Sequence, residues 1–254
     1  MIAEERQAYI ANAVKARKYC SIQQIAEELS VSVATIRRDM QVLEKQKKLR
    51  LTWGGAKYVS SGSAPEPAYN VKTGLNYEEK VRIGHAACEL IHPGQNILLD
   101  TGTTVRQMTE GLRQMEDLTI ATNDICIAAE LVQNTRINLC MLGGLVRKGY
   151  YTTTGFWTYQ ALESMHFDHL FLSCDSIDFI NGCSITNAEE ITIKQCMIDV
   201  SNECTLLVDH SKFETTALFR MCPIERIQTI ITGRELDEKI ARSYRTSGIH
   251  IIQV

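Results

Sequence analysis

The stretch that decides the fold is residues 32–43, SVATIRRDMQVL, near the amino end of a 254-residue chain. Ile36, Met40 and Leu43 recur at helical spacing, so they would share one buried face of a short helix. Ser32 stands directly before this pattern, where its hydroxyl oxygen can accept a hydrogen bond from a backbone N–H of the first turn. The stretch therefore predicts an amphipathic helix that begins after Ser32.

The other face of this helix has the chemistry of a nucleic-acid reader. Ala34, Arg38 and Gln41 point away from the buried face, and Thr35 and Arg37 flank them. Arginine can bind guanine through two hydrogen bonds or contact a phosphate, and a hydroxyl near the helix start can contact either. The alternative is a helical packing module with solvated arginines. It is less favoured because the neighbouring segments also fit a DNA-binding fold.

The segments on both sides complete a winged helix-turn-helix over residues 1–60. Apolar residues at helical spacing predict a first helix, and Ser21 is placed to cap a second. Two short β-rich runs flank Trp53-Gly54-Gly55, which predicts a hairpin with its turn at the glycines. We expect the contacts to double-stranded operator DNA to come from Ser32, Thr35, Arg37, Arg38, Gln41, Lys45 and Trp53.

The net charge of the chain, −3, conceals two oppositely charged parts. Residues 1–60 hold eleven basic and six acidic residues, a net charge of +5, whereas the remaining residues carry −8. A small basic part beside a larger acidic one suggests a polyanionic partner for the basic part alone. This pattern agrees with DNA as the partner of residues 1–60.

The composition excludes several other classes of protein. With 44% hydrophobic and 22% charged residues the sequence is that of a globular protein, and no apolar run has the ~18 residues of a membrane span. The amino end lacks the pattern of a secretory signal, and the nine cysteines include no C-x-x-C pair. Neither an H-E-x-x-H pattern nor a nucleotide-binding glycine motif occurs. We therefore expect a cytoplasmic protein with reduced thiols, no membrane contact, no metal and no cofactor.

Residues 61–76 have the composition of a linker, because small residues and two of the four prolines are concentrated there. Over residues 77–254 short apolar runs then alternate with helical stretches, which predicts an α/β domain with a mainly parallel sheet. The expected strands are 96–99, 118–121, 137–142, 170–172, 204–208, 227–231 and 249–254. The expected helices are 78–91, 103–115, 124–133, 188–201 and 235–246.

Polar and glycine-rich residues follow five of these strands. The sharpest example is Gly102-Thr103-Thr104, where a glycine turn, two hydroxyls and the first N–H groups of a predicted helix could surround an anion. Each strand end alone could be an ordinary turn, bend, cap or surface lysine. Because the carboxyl ends of parallel strands meet at one edge of a sheet, the whole set favours a pocket for a small anion. The candidate ligand-binding residues are Asp100, Thr101, Gly102, Thr103, Thr104, Thr122, Asn123, Gly143, Gly144, Asp175 and Lys212.

Two sets of motifs resemble those of DeoR-type bacterial transcriptional regulators. One is residues 32–40 together with Trp53-Gly54-Gly55-Ala56, and the other includes Glu79-Lys80 and residues 100–104 and 209–213, so the resemblance covers nearly the whole chain. It implies an α+β winged helix-turn-helix head joined to an α/β, mainly parallel-sheet sensor domain similar to ribose-5-phosphate isomerase. It also implies a phosphorylated sugar as effector and control of a sugar or polyol catabolic operon, most often as a repressor.

Two positions depart from the pattern of the resembled family. Trp53 stands where the wing is expected to carry a polar residue, often histidine. Ser173-Cys174-Asp175-Ser176 stands where the family usually has G-A-D-G. The second departure makes this part of the expected pocket bulkier and adds a thiol to it.

The main alternative is a sugar-phosphate isomerase with an accessory DNA-binding head. Asp175, Asp178, Glu189 or Glu190 could act as a base beside the carbonyl carbons of a bound sugar phosphate. However, no carboxylate–lysine set with isomerase spacing is clear, and an isomerase needs no DNA-reading helix. A structural adaptor would explain neither the arginine-bearing helix nor the strand ends. We therefore expect a homo-oligomeric regulator that reads repeated half-sites, and not an enzyme.

Overall fold

The computed structural model describes residues 3–17, 19–45, 48–52, 54–58 and 66–254. The chain divides into two compact units, residues 1–64 and 65–254. Trp53, the predicted wing residue, lies outside the described residues, as do residues 61–65 of the predicted linker.

The first unit is a winged helix-turn-helix. Its elements are α1 (Ala3–Arg17), β1 (Tyr19–Ser21), α2 (Ile22–Glu28), α3 (Val33–Lys45), β2 (Leu49–Thr52) and β3 (Gly55–Tyr58). The three strands form an antiparallel sheet in the order β1-β3-β2. The three helices and the hairpin are confirmed. β1 was not expected, because a run of three residues is too short to show a strand pattern.

One apolar cluster holds the three helices of this unit together. Ile10 and Val14 of α1, Ile25 of α2, and Ile36 and Met40 of α3 are all fully buried in it. Burying side chains of this size stabilises a fold by about 1.5–3 kcal/mol each. Because Ile36 and Met40 anchor one face of α3 in this cluster, the opposite face of the helix is left to solvent.

The second unit is built on a seven-stranded parallel sheet. Its strands are β4 (Asn96–Leu99), β5 (Leu118–Thr122), β6 (Ile137–Met141), β9 (Phe167–Leu172), β12 (Ser201–Leu207), β14 (Thr229–Thr232) and β15 (His250–Gln253). They lie in the order β15-β14-β12-β9-β4-β5-β6, with every pairing parallel. All seven correspond to predicted strands, with ends that differ by a few residues.

Helices cover both faces of this sheet. Leu98 and Leu170 pack into one buried cluster, whereas Ile97 and Phe171 pack into another, because successive side chains of a strand point to opposite faces. The helices are α4 (Tyr69–Gly74), α5 (Tyr77–Cys88), α6 (Thr109–Leu112), α7 (Ile125–Leu131), α8 (Phe156–Glu163), α9 (Ile191–Asp199) and α10 (Glu238–Thr246). Among the described residues, no helix is long and apolar enough to cross a membrane.

Several short elements of the second unit were not predicted. Besides α4 and α8, they comprise an antiparallel hairpin of β7 (Leu145–Arg147) and β8 (Thr152–Thr154), and a small antiparallel sheet of β10 (Ser176–Asp178), β11 (Gly182–Ile185) and β13 (Phe219–Cys222). Strands of three or four residues carry too little periodicity to be distinguished from loops in a sequence.

The second half of the predicted linker belongs to the second unit. Residues 69–74 form α4, and the buried ring of Tyr69 packs edge-on against Tyr151 with 5.1 Å between centroids. The Lys72 ammonium of α4 makes ion pairs with Glu66 and Asp175 at 2.9 and 3.2 Å. The difference arises because the proline- and serine-rich composition ends at residue 67, and the residues after it bring a buried ring and a paired charge.

Candidate functional site

The predicted DNA-facing surface of α3 is exposed in the structure. Arg37, Arg38, Gln41 and Lys45 are exposed, and Thr35 is half-buried. The side chains of Arg37 and Arg38 make no ion pair with any residue that the structure describes. Their charges are therefore available to a partner outside the chain.

Ser32 sits at the start of α3, as predicted. Its Oγ accepts a hydrogen bond from the backbone N–H of Thr35 at 3.2 Å and lies 2.9 Å from the Thr35 hydroxyl. A shallow groove runs between α3 and the wing and includes Arg37, Gln41 and Gly54 in its lining. Of the predicted residues, Arg37 and Gln41 thus face the groove, and Ser32 and Thr35 lie at the start of the same helix.

Asp39, which the sequence analysis left without a role, holds α3 against α1. Its carboxylate accepts hydrogen bonds from Arg6 Nε at 2.5 Å and from Gln7 Nε2 at 3.1 Å, and the side chain is buried. The hydrogen bond to Asp39 raises the pKa of Arg6. Asp39 thereby fixes the rotation of α3 about its axis, which directs Arg37 and Arg38 outward.

A pocket in the second unit lies at the carboxyl ends of β4, β9 and β12. Of the predicted ligand-binding residues, Thr101, Gly102, Thr103, Thr104, Asp175 and Lys212 line it. The pocket also includes residues that the sequence analysis did not assign to it, chiefly Glu66, Lys72, Asn76, Lys80, Arg147, Tyr150, Glu190 and Lys194.

The turn after β4 forms one wall of the pocket. Gly102 has a φ of 154°, and a Cβ at this position would lie 2.7 Å from Ser173 Oγ, so only glycine fits. Thr101 Oγ1 donates a hydrogen bond to Asp124 at 2.9 Å and fixes the turn to the start of α7. The helix expected from Thr103 begins instead as the short 3₁₀ helix Val105–Met108, so the turn is one to two residues longer than predicted.

Lys80 and Lys212 bring positive charge to this wall. Lys80 Nζ donates hydrogen bonds to Thr103 Oγ1 at 3.0 Å and to the backbone oxygen of Lys72 at 2.5 Å. Burial, opposed by Asp209 but reinforced by the nearby Lys212, lowers the pKa of Lys80 to about 8. The Lys212 ammonium is half-buried and makes no ion pair with the described part of the chain. Neither lysine is neutralised by a hydrogen-bonded carboxylate.

The remaining cations of the pocket are paired with carboxylates. Arg147 binds Glu66 at 2.5 Å and Glu190 at 2.7 Å, and its guanidinium lies 3.8 Å from the centre of the Tyr150 ring. Burial raises the pKa of Glu190 despite these positive neighbours. Glu66 is also bound by Lys72, so one carboxylate bridges two cations.

Asp175 faces the pocket, but its carboxylate is already engaged. It pairs with Lys72 and accepts a hydrogen bond from the backbone N–H of Thr186 at 2.8 Å. Burial acts to raise the pKa of Asp175, but the charge of Lys72 and the Thr186 N–H outweigh it and lower the pKa to about 2. This group is therefore a permanent anion that positions Lys72.

Asp100 lies behind the pocket wall and does not line it. Its Oδ2 accepts hydrogen bonds from the Lys194 ammonium and from the backbone N–H and hydroxyl of Ser173, at 2.9 and 3.0 Å for the latter two. Burial acts to lower the pKa of Lys194, but the carboxylates of Asp100, Glu190 and Asp175 together outweigh burial, and the pKa is raised. The predicted ligand residue Asp100 thus ties β4 to α9 and to the residue after β9.

Four further predicted residues also fall outside the pocket. The Asn123 amide donates to Thr152 Oγ1 at 3.0 Å, which joins the end of β5 to β8. Thr122 Oγ1 accepts a hydrogen bond from the backbone N–H of Asp124. Gly143 accepts a hydrogen bond from Thr158 of α8, and a Cβ on Gly144 would lie 2.1 Å from the same hydroxyl. At these strand ends, polar and small residues serve packing.

One group of possible metal ligands occurs among the described residues, Glu79, Asp209 and His210. The Glu79 carboxylate already has three hydrogen bonds. Two come from His210, one from its backbone N–H and one from its ring Nδ1, both at 2.7 Å, and the third comes from the Gly233 N–H at 3.1 Å. Asp209 caps the short helix His210–Lys212. These bonds hold Lys212 in place beside the pocket.

Two family models match the chain. The DeoR-like helix-turn-helix domain matches residues 6–62, and the DeoR C terminal sensor domain matches residues 75–234. The chain is 31% identical over 251 residues to a putative aga operon transcriptional repressor of Escherichia coli O157:H7, covering 98% of this chain and 93% of that protein. It is 29% identical over 252 residues to the transcriptional repressor GlcR of Bacillus subtilis, covering 99% and 96%.

Solved structures show weaker likeness. The full-length sorbitol operon regulator SorC from Klebsiella pneumoniae aligns over 90% of this chain and 96% of its own at 11% identity, with a TM-score of 0.44. Ribose 5-phosphate isomerase A from Methanocaldococcus jannaschii aligns over 54% of this chain and 55% of its own at 18% identity, with a TM-score of 0.40.

Helix α3 lies in the part of the chain that the first model covers, and Lys80, Lys212 and the turn 101–104 of the pocket lie in the part that the second model covers. A further relative, the Escherichia coli K12 regulator YgbI, is 34% identical over 244 residues, covering 96% of this chain and 94% of that protein. All three relatives are named as transcriptional regulators or repressors. The chain therefore belongs to the DeoR family of transcriptional regulators.

Proposed function

We propose that this regulator represses a sugar or polyol catabolic operon and that a phosphorylated sugar, bound in the pocket of the second unit, controls its affinity for operator DNA. The observation that carries the proposal is the wall formed by the turn 101–104 with Lys80 and Lys212, two lysines without a hydrogen-bonded carboxylate. The names of the relatives support it, since they include a putative repressor of the aga operon and the transcriptional repressor GlcR.

A phosphate group suits this wall for a specific chemical reason. Lys80 donates to Thr103 Oγ1, so the Thr103 hydroxyl has its acceptor site occupied and its proton free to donate. Lys212 adds a cation, and hydrogen bonds to charged groups are about twice as strong as neutral ones. The sugar hydroxyls would then meet the other polar atoms of the pocket lining, among them those of Asn76, Ser173 and Glu190.

For the first unit we propose that operator DNA is contacted by the exposed face of α3, with Trp53 of the wing as a further predicted contact. The exposure of Arg37 and Arg38 without an ion pair among the described residues supports this role. We also propose a homo-oligomer that reads repeated half-sites and acts in the cytoplasm, where the DNA of a bacterium lies.

An isomerase is not favoured as a second function. Asp175 is held by Lys72, and Glu190 is held by Arg147. Asp178 Oδ1 accepts hydrogen bonds from the backbone N–H groups of Ile180 and Asn181. Proton abstraction needs a base free to approach the substrate carbon, and these carboxylates have other partners.

A thermal-shift panel of hexose, pentose and polyol phosphates tests the pocket. At one hundred times its Kd, a bound ligand should raise the free energy of unfolding by about 2.7 kcal/mol. Lys212→Ala should lose most of this stabilisation, whereas Arg245→Ala, which removes a surface charge paired with Glu238, should keep it. Equal stabilisation of the Lys212→Ala variant would place the ligand elsewhere.

DNA binding by α3 is tested by Arg38→Ala with a duplex selected from a random pool. Loss of a base contact should weaken binding by ~1–3 kcal/mol and relax specificity at that position, and loss of a phosphate contact should lower the salt slope by about one. Arg17→Ala, on the exposed Arg17–Glu28 pair of the same unit, is the matched control. Unchanged affinity and salt slope in Arg37→Ala/Arg38→Ala would exclude α3 as the reader.

A further inference from the structure

Glu66, one of the first described residues of the second unit, places its carboxylate inside the pocket. The side chain is only 9% exposed, and its two oxygens lie 2.9 Å from Lys72 Nζ and 2.5 Å from an Arg147 nitrogen. The Tyr150 hydroxyl donates to the backbone oxygen of Glu66 at 3.2 Å. A carboxylate that bridges two pocket cations in this way resembles the anionic part of a ligand in its chemistry.

The cations that Glu66 occupies adjoin the wall proposed for the phosphate. The backbone oxygen of Lys72 accepts the hydrogen bond from Lys80 Nζ, and the charge of Lys72 contributes to lowering the Lys80 pKa. Asp175 is under the influence of both Lys72 and Lys212. An anion that enters this group of lysines would therefore compete with Glu66 for Lys72.

The attachment of the chain around Glu66 is uneven. Tyr69 is fixed by burial, by its contact with Tyr151 and by Arg106, whose guanidinium lies 3.5 Å from the Tyr69 hydroxyl. In contrast, the described contacts of Glu66 and Pro67 are the Glu66 ion pairs and the hydrogen bonds from the Tyr150 hydroxyl. Ala68 belongs to α4, because its backbone oxygen accepts hydrogen bonds from the N–H groups of Val71 and Lys72 at 2.9 and 3.0 Å. Loss of the ion pairs would free residues 66 and 67 and leave α4 in place.

We propose that Glu66 is an internal ligand of the pocket, which an anionic effector displaces from Lys72 and Arg147, so that effector binding releases residues 66 and 67. This inference rests on the proposed function, because it requires that the pocket take an anion. Residues 66 and 67 follow directly on the segment that leads from the DNA-binding unit. Their release would convert the occupancy of the pocket into a change in how the chain enters the second unit.

A nitroxide at residue 67 measures this release directly. Pro67 is exposed and precedes Ala68, the N-cap residue of α4. Pro67→Cys would be labelled in the full chain with the two half-buried cysteines, Cys126 and Cys140, replaced by serine, since the other seven thiols are buried and inert to brief labelling. The ligand probe is inorganic phosphate, and its binding is followed separately by the rise in melting temperature and the loss of that rise in Lys212→Ala.

We expect the nitroxide to be immobile in the phosphate-free protein and mobile at saturating phosphate. Glu66→Gln and Glu66→Asp should make it mobile without phosphate, the second because its side chain is too short to bridge both cations while its charge is unchanged. Glu190→Gln is the matched control: it also removes one negative charge and a carboxylate that pairs with Arg147, and it should leave the nitroxide immobile. Glu66→Gln should also bind phosphate at least about fivefold more tightly, the lower end of the usual range for coupled sites.

The results separate this inference from the proposed function. Phosphate could stabilise the protein in a way that depends on Lys212 while the nitroxide stays immobile. This result would contradict the proposed displacement of Glu66 but would support the anion pocket. Equal tightening of phosphate binding in Glu66→Gln and Glu190→Gln would also overturn it, since the effect would then be one of charge alone. If phosphate does not stabilise the protein, or stabilises Lys212→Ala as much as the wild type, both proposals are overturned.

Discussion

Two buried lysines of the pocket have opposite roles because their partners differ. Lys194 is bound to the Asp100 carboxylate, and its pKa is raised although the side chain is almost fully buried. Lys80 is equally buried, but its hydrogen-bond partners are neutral oxygens of Thr103 and Lys72, and its pKa is lowered to about 8. A carboxylate-paired lysine stabilises the fold, whereas Lys80 gains a full counter-charge only when an anion arrives.

The lowered pKa of Lys80 predicts a pH-dependent affinity for anions. Phosphate binds best to protonated Lys80, so its apparent affinity should fall about fivefold between pH 8 and pH 9, as most of the remaining protonated form is lost. In the ligand-free protein the free energy of unfolding should rise as the pH increases from about 8 to 10.5. Over this pH interval Lys80 holds its proton more strongly in the unfolded chain than in the folded protein.

Phosphate titrations by calorimetry at the two pH values measure this fall. The charged groups that act on Lys80 are Asp209, Lys212, Lys72 and Glu79. Lys80→Met removes the titrating group and should bind phosphate more weakly but with the same affinity at both values. A fivefold fall that persists in Lys80→Met would assign the titration to another group.

At the scale of the element, α3 uses its two faces for different purposes. Ile36, Met40 and the Asp39 carboxylate fix one side against α1, and Arg37 and Arg38 leave the other side basic and open. The start of the helix is set by Ser32, whose hydroxyl and backbone oxygen both accept from the Thr35 N–H, at 3.2 and 3.0 Å.

Substitutions of Ser32 separate helix capping from DNA contact. Ser32→Ala should lower the free energy of unfolding by about 1 kcal/mol, because the Thr35 N–H loses its side-chain acceptor at the helix start. Ser32→Asp keeps an acceptor, so stability should be retained, but its negative charge should weaken binding to the DNA backbone. Thermal unfolding and duplex titration measure the two effects. Undiminished DNA affinity in a stable Ser32→Asp variant would mean that this end of α3 lies away from the phosphates.

The sequence predicted the regular elements well and the pocket only in part. Helical and strand periods identified α3 and the seven parallel strands, because these elements bury a whole face. The period does not distinguish a strand end that lines a pocket from one that packs, so Asn123 and Gly143 were assigned to the pocket although they hold β8 and α8. Glu66 and Arg147 were missed because they lie before α4 and on a three-residue strand, outside any strand end of the sheet.

At the scale of the whole molecule, the chain joins a DNA-reading unit to a sensor unit. An effector can change DNA affinity only through a difference in its affinity for two arrangements of the protein. Charge separates the tasks of the two units, since the first carries the net positive charge, and the second, which is acidic overall, places Lys80 and Lys212 on one wall of its pocket.

The central claim is that occupancy of this pocket controls operator binding. It is tested most directly by titrating a selected duplex with the wild type and with Lys212→Ala, each with and without the sugar phosphate that gives the largest thermal shift. The wild type should change its DNA affinity by about 5- to 150-fold with the ligand, the usual range of allosteric coupling. Lys212→Ala should bind the duplex normally without ligand and respond only at much higher ligand concentration. A wild-type affinity that the ligand leaves unchanged, or a Lys212→Ala variant as sensitive as the wild type, would contradict the claim.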